Sequence, residues 1–112
     1  MSGARLSAAQ LRDSLVRRLA KLGVEHQPLA GRDDGFASLC YAGKAFAHFH
    51  NDTEIDIKLT RALIEREGLV HPADSKVHPG RSRSSHWIEV RFTTSRQVDR
   101  VVELVKLAIE QL

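Results

Sequence analysis

Between Lys44 and Leu59 the side chains sort by strict alternation, and the stretch predicts a single β-hairpin with one dry and one ionisable face. A three-residue loop, Asn51 to Thr53, sets His50 opposite Glu54, His48 opposite Asp56 and Phe46 opposite Lys58. Ala45, Ala47, Phe49, Ile55, Ile57 and Leu59 then share the other face. A register slipped by one residue mixes charges into the apolar set, so the hydrophobic pattern itself fixes the pairing.

The flanking segments read as follows. Ser7-Ala-Ala-Gln10 has capping-box spacing, and Leu11, Leu15, Leu19 and Leu22 recur on one face of the helix it starts, with Gly23 suited to the left-handed position after the last turn. Val24 to Leu29 predicts a short edge strand, ended by Pro28 and the Gly31–Gly35 turn cluster. Phe36 to Tyr41 predicts a strand joined to the hairpin by a tight turn at Ala42-Gly43, with Phe36, Ser38 and Cys40 on the dry side. Thr60 caps a short helix that ends at Gly68. Residues 72–85 carry Pro79, Gly80, four serines and the bases Lys76, Arg81 and Arg83, and are expected to be irregular and mobile. His86 to Phe92 alternates again, with Ile88, Val90 and Phe92 dry and Trp87, Glu89 and Arg91 polar. From about Ser95 a broad stripe of Val, Leu and Ile predicts a largely buried helix to the end. The expected fold is a single α+β domain over residues 1–112. It is a two-layer sandwich, an antiparallel sheet of about five strands with the N- and C-terminal helices on one face and the other face wet.

Composition narrows the functional classes. With 42% apolar and 28% charged residues in 112, the chain has the profile of one folded domain rather than of a disordered segment. Its apolar runs are too short to span a membrane, and Met-Ser-Gly-Ala-Arg lacks the core of a signal peptide, so the default expectation is cytoplasmic. The lone Cys40 has no partner for an internal disulfide and fits a small core residue. A formal charge of +3 is a mild bias. Arg5, Arg12, Arg17, Arg18 and Lys21, with Lys76, Arg81 and Arg83, are compatible with a phosphate backbone but read better as a solvated face.

The chemistry concentrates on the polar sheet face. His48 and His50 point the same way, and Asp56 or Glu54 opposite them can complete a two-His, one-carboxylate set for a divalent metal, His48, His50 and Asp56 in the simplest form. The same carboxylate can instead hold an imidazole for proton transfer, or the charges can be ordinary cross-strand pairs on a wet surface. His71, His78 and His86 bracket the irregular loop, and His71 is the one expected to swing over the sheet as part of a lid. Trp87, if exposed, sits on this face beside Glu89 and Arg91 and marks a binding surface; if the loop covers it, the ring is a satellite core.

Phe46-Ala-His-Phe-His50 before an acidic turn, Gly68-Leu-Val-His-Pro72 after a short helix, and Trp87-Ile-Glu-Val-Arg91 before a terminal helix together resemble the luciferase-domain family of small, mostly uncharacterised bacterial and fungal proteins, over roughly residues 20–112. The layout is also similar, at the level of fold, to frataxin-like and MmcQ/YjbR-like sandwiches, although the basic first helix disfavours an iron chaperone of the frataxin type. The resemblance implies that His48, His50, His71, Trp87 and Glu89 belong to one surface, and it implies no particular reaction. The expected function is a module binding a small molecule or a protein partner through His48, His50, Glu54, Asp56, His71, Trp87, Glu89 and Arg91, as a monomer or small homo-oligomer. The alternatives are a metal-dependent or His-based enzyme centred on His48 and His50, and a weak nucleic-acid binder.

Overall fold

The computed structural model describes residues 6–112. The element order is α1 (Ala8–Ala20), β1 (Glu25–Pro28), β2 (Ala37–Tyr41), β3 (Lys44–Phe49), β4 (Glu54–Lys58), α2 (Arg61–Arg66), β5 (Trp87–Arg91) and α3 (Ser95–Glu110). The strands form one antiparallel sheet in the order β1-β2-β3-β4-β5, so neighbours in sequence are neighbours in space. Leu11, Leu15 and Leu19 of α1 and Val98, Val101, Leu104, Val105 and Ala108 of α3 bury against Leu39, Phe49, Ile55, Ile57 and Ile88 of the sheet. This is the expected α+β two-layer arrangement. No helix among the described residues is long and apolar enough to cross a membrane.

Local chemistry sets the boundaries. The Ser7 hydroxyl accepts from the Gln10 N–H while the Gln10 side chain accepts from the Ser7 N–H, so the capping box is closed in both directions. Thr60 and Thr94 accept from Leu63 N–H and Gln97 N–H to start α2 and α3. Ala42 and Gly43, both at positive φ, make the two-residue turn that returns β2 into β3. Arg12, expected on the solvated side of α1, instead crosses to the loops. It lies over the Phe49 ring, donates to the carbonyls of Gly35 and Asn51 and pairs with Asp52. Gly35 has φ +87°, and a Cβ there would lie 2.9 Å from the Arg12 guanidinium and 3.0 Å from the Asn51 backbone, so this junction excludes any side chain. Arg5 lies outside the described residues.

The hairpin has the expected pairing at its centre, with His48 opposite Asp56 and Phe49 opposite Ile55. Its outer end differs. Between Leu39↔Ala47 and Cys40↔Ala45 the β2–β3 register shifts by one, leaving Phe46 as the extra residue of a β-bulge. Two expectations are corrected by this one irregularity. Phe46 does not stand on the polar face opposite Lys58 but is fully buried in the core, while Ala45, assigned to the dry face, is exposed. On β2 the phase is inverted: Ala37 and Leu39 face the core, and Ser38, opposite His48, and Phe36, stacked on it, lie on the polar side. Cys40 is buried but outside the main core, with its sulfur 3.7 Å from Gln27 Oε1. An uninterrupted alternation cannot reveal a bulge; here the extra residue gives a large aromatic a place in the core.

Truncating that aromatic tests the bulge. Phe46→Ala is expected to lower unfolding free energy by about 3–5 kcal/mol, as for other buried aromatics, whereas Ala45→Ser should stay within about 0.5 kcal/mol. Urea unfolding of both variants reads the difference, and equal small effects would place Phe46 at the surface.

Candidate metal centre and adjoining cleft

The polar face of the sheet is not wet at its centre. Residues 72–85 fold across it and shut Asp56 and Glu89, in the middles of β4 and β5, almost completely from solvent at 1% exposure each. Three of the contacts that tie the loop down bear on this site. Arg81 donates two hydrogen bonds to Asp56, at 2.6 and 2.8 Å. The buried Ser75 hydroxyl donates to Glu89 Oε1 at 2.9 Å and accepts from the His78 N–H. His71 Nε2 donates to the His78 carbonyl at 2.8 Å.

Around Asp56 three imidazoles converge. His48 Nε2, His50 Nε2 and His78 Nε2 lie 3.5, 3.8 and 3.5 Å from Asp56 Oδ2. The four ligand-type atoms are all within 4.8 Å of one another. The rings form a row, His50 between His48 and His78 with centroids 5.1 and 5.0 Å away, and His48 is held between Phe36 and Trp87, each at 5.4 Å. His50 is 7% exposed, and neither of its ring nitrogens has a hydrogen-bond partner; the buried His78 Nε2 has none either. Behind the ring, His50 Nδ1 faces Glu89 Oε1 at 3.4 Å, and Glu89 Oε2 is also unpartnered.

The electrostatics keep this group poised. Burial would by itself raise the Asp56 carboxyl, but the paired hydrogen bonds from Arg81, the nearby His50 ring and the positive field outweigh it and hold the carboxyl far below the ordinary carboxylate range. Burial pushes His48 below the usual imidazole value against the pull of Asp56. Burial and then the Arg81 charge do the same to His78. Glu54 is lowered although burial opposes it, through hydrogen bonds from Asn51 and Arg91 and contact with Glu89. Near neutral pH Asp56 is therefore anionic and His48 and His78 are neutral. Those are the forms that ligate metals.

Among the residues expected at the site, His48, His50 and Asp56 come together, with Glu89 behind them. Glu54 approaches His50 from the turn and forms, with Glu89, a second acidic grouping. Arg91 lies at the rim, paired with Glu54 and Asp74. Trp87 is half-buried against His48, neither fully exposed nor covered. His71 does not enter the cluster; it braces the loop, and the imidazole that swings over the sheet is His78. Alternation carries no information about a loop, so the sequence could not choose between two His-Pro pairs. His86 is used locally, its Nδ1 accepting from the Arg61 N–H.

Beside the cluster, between α2, the 69–73 segment and the 80–83 turn, lies a cleft of about 560 Å³. Arg81 and Trp87 are common to its wall and to the cluster.

Residues 43–108 match the family model for the luciferase domain. The chain belongs to the luciferase-domain family. The match spans β3 through most of α3 and so contains His48, His50, Asp56, His78 and Glu89, while α1, β1 and β2 lie outside it. Searches of curated proteins and of solved structures returned no significant match.

The lowered imidazoles set a pH dependence for the metal-free protein. Below the ordinary value of 6.5 the unfolded chain binds more protons than the fold does at His48 and His78. Stability is then expected to be flat near pH 7.5 and to decline as pH falls from about 6.5. Urea midpoints at pH 7.5 and 5.5 measure this, and the double variant His48→Gln/His78→Gln should show a shallower decline. An unchanged slope would mean that these rings titrate as in the unfolded chain.

Proposed function

We propose that this luciferase-domain protein is a binding module for a divalent first-row metal ion, held by His48, His50, His78 and Asp56. The observation that carries this reading is the convergence of three Nε2 atoms on one carboxylate oxygen, with the buried His50 and His78 nitrogens left unpartnered. Buried polar atoms are normally satisfied, and a bound cation satisfies the His50 and His78 Nε2 atoms together, leaving His50 Nδ1 to face Glu89. The spacing supports it too. A tetrahedral ion with bonds of about 2.0–2.1 Å spaces its ligands roughly 3.4 Å apart, and the imidazole-to-carboxylate separations are 3.5, 3.8 and 3.5 Å. Three imidazoles and one carboxylate favour zinc, iron(II) or nickel over magnesium or calcium. Glu89, held by Ser75, stands behind His50 as the carboxylate that fixes a ligating ring.

The opposing charge of Arg81 tempers affinity, since it already neutralises Asp56. The reading therefore favours a site that exchanges its ion over one that needs it to fold. The cluster's own loop closes over the sheet, which removes the open face expected for protein recognition and leaves the cleft as the entry for a small molecule.

Untagged, metal-stripped protein titrated with zinc, iron(II), nickel and manganese should bind one ion per chain, with selective shifts of the His48, His50 and His78 ring resonances. His48→Ala and His78→Ala are expected to weaken binding at least tenfold, while His71→Ala leaves the ring shifts of the other three in place. No saturable binding at 0.1 mM ion (about −5.5 kcal/mol), or affinity unchanged in both alanine variants, would defeat the metal reading. Glu89→Gln keeps the volume and should weaken the ion by about 10–100-fold without unfolding the chain; circular dichroism checks the fold and calorimetry the affinity.

A further inference from the structure

The cleft beside the cluster presents a surplus of positive charge next to uncovered apolar surface. Its wall carries Arg61, Arg81 and Arg83 against one carboxylate, Glu65. Arg81 is spent on Asp56, and the Arg61 Nε approaches Glu65 Oε1 at 3.5 Å, but the partner is 70% exposed and so screened by water. Arg83 forms no ion pair among the described residues, although its backbone is anchored, the Arg61 guanidinium donating to the Arg83 carbonyl. The same lining includes Leu69, Val70, Pro72 and the Trp87 indole. Val70 is 83% exposed, the most open of the large apolar residues described. An exposed valine alone is ordinary, but this one shares a cleft with an indole and two guanidiniums, a combination that suits a ligand with one apolar and one acidic half.

We propose that this cleft binds a small organic anion, its acidic group against Arg61 and Arg83 and its apolar body against Leu69, Val70, Pro72 and Trp87. The volume, about 560 Å³, is that of a small-molecule site. A guanidinium fork suits a carboxylate as well as a phosphate or sulfonate oxygen pair, and it stacks on flat apolar groups as a lysine does not. The inference goes beyond the metal reading and does not need the ion. Because Arg81 and Trp87 are shared with the cluster, an anion seated here also lies next to it.

The protein has a single tryptophan, so the one indole N–H resonance reports occupancy of this wall. Metal-stripped protein would be titrated with 2-naphthoate, with the neutral 2-naphthalenemethanol and with the cationic 2-(aminomethyl)naphthalene, following the Trp87 indole and the Leu69 and Val70 amides by NMR. The expected result is saturable movement of these signals with the carboxylate binding at least tenfold tighter than the alcohol, and the amine weakest. Arg83→Gln should cut that preference at least fivefold, and since the side chain is exposed the fold is retained. Added salt should weaken the acid more than the alcohol. Equal binding of acid and alcohol, shifts mapping outside the cleft, or an Arg83→Gln variant with the preference intact would overturn the proposal. In His50→Ala the anion is expected to bind within twofold of the parent, so failure of the metal site and failure of the cleft are read separately.

Discussion

The polar half of this molecule is organised by the ion pair between Asp56 and Arg81. A carboxylate in the middle of a central strand, at 1% exposure, is far from water and must be matched by charge and by donors or it will unfold the strand that carries it. Arg81 supplies both donors from the far side of the 72–85 loop. In doing so it fixes the loop over the sheet, which brings His78 to the same carboxylate and closes Glu89 beneath Ser75. Replacing the pair with apolar groups of equal size need not weaken such a fold, because desolvation offsets much of the attraction. What the pair supplies is location: a loop without regular structure, held in one register on a sheet face.

How far the sequence disclosed this depends on the kind of signal each part carries. The capping box at Ser7, the central hairpin pairs and the stripe on α3 were legible because periodicity and cap chemistry are local. Phe46 was not, because a bulge is an insertion in a ladder whose other strand must be known before the extra residue is visible. The inverted phase of β2 follows from the same insertion, and with it the placing of Phe36 and Ser38 beside His48. His78 and His71 are indistinguishable in the sequence for a different reason. Both precede proline in an irregular segment, and only the anchors at Ser75 and Arg81, each made to a strand residue by a side chain of no periodic position, decide which ring reaches the cluster.

The two candidate sites divide the labour of the loop. Its middle delivers Ser75 and His78 inward to buried acids, while its later turn presents Arg83 outward to the cleft, and Arg81 stands between them. The region outside the family match contributes to the cluster from the other side, since Phe36 packs on His48, and Arg12 locks α1 to the ends of the β2 and β3 strands. The luciferase-domain segment thus holds the polar chemistry, and the preceding segment supplies a wall for it and one of the two helices beneath it.

The order of the strands has a kinetic consequence. Four of the five are joined by short local connections, whereas β4 reaches β5 only through residues 59–86. Local hairpins close quickly, and a long connection closes late because more chain entropy is lost before any contact is gained. The strands β1 to β4 can therefore assemble around the core before the last strand docks. Since Ser75, His78 and Arg81 all ride on that connection, the imidazole–carboxylate cluster and the cleft come into being with the final closure. In the folded protein the part of that connection beyond α2, residues 72–85, is the natural unit of partial opening, a fluctuation that dissolves the site while the helices and the strands stay in place.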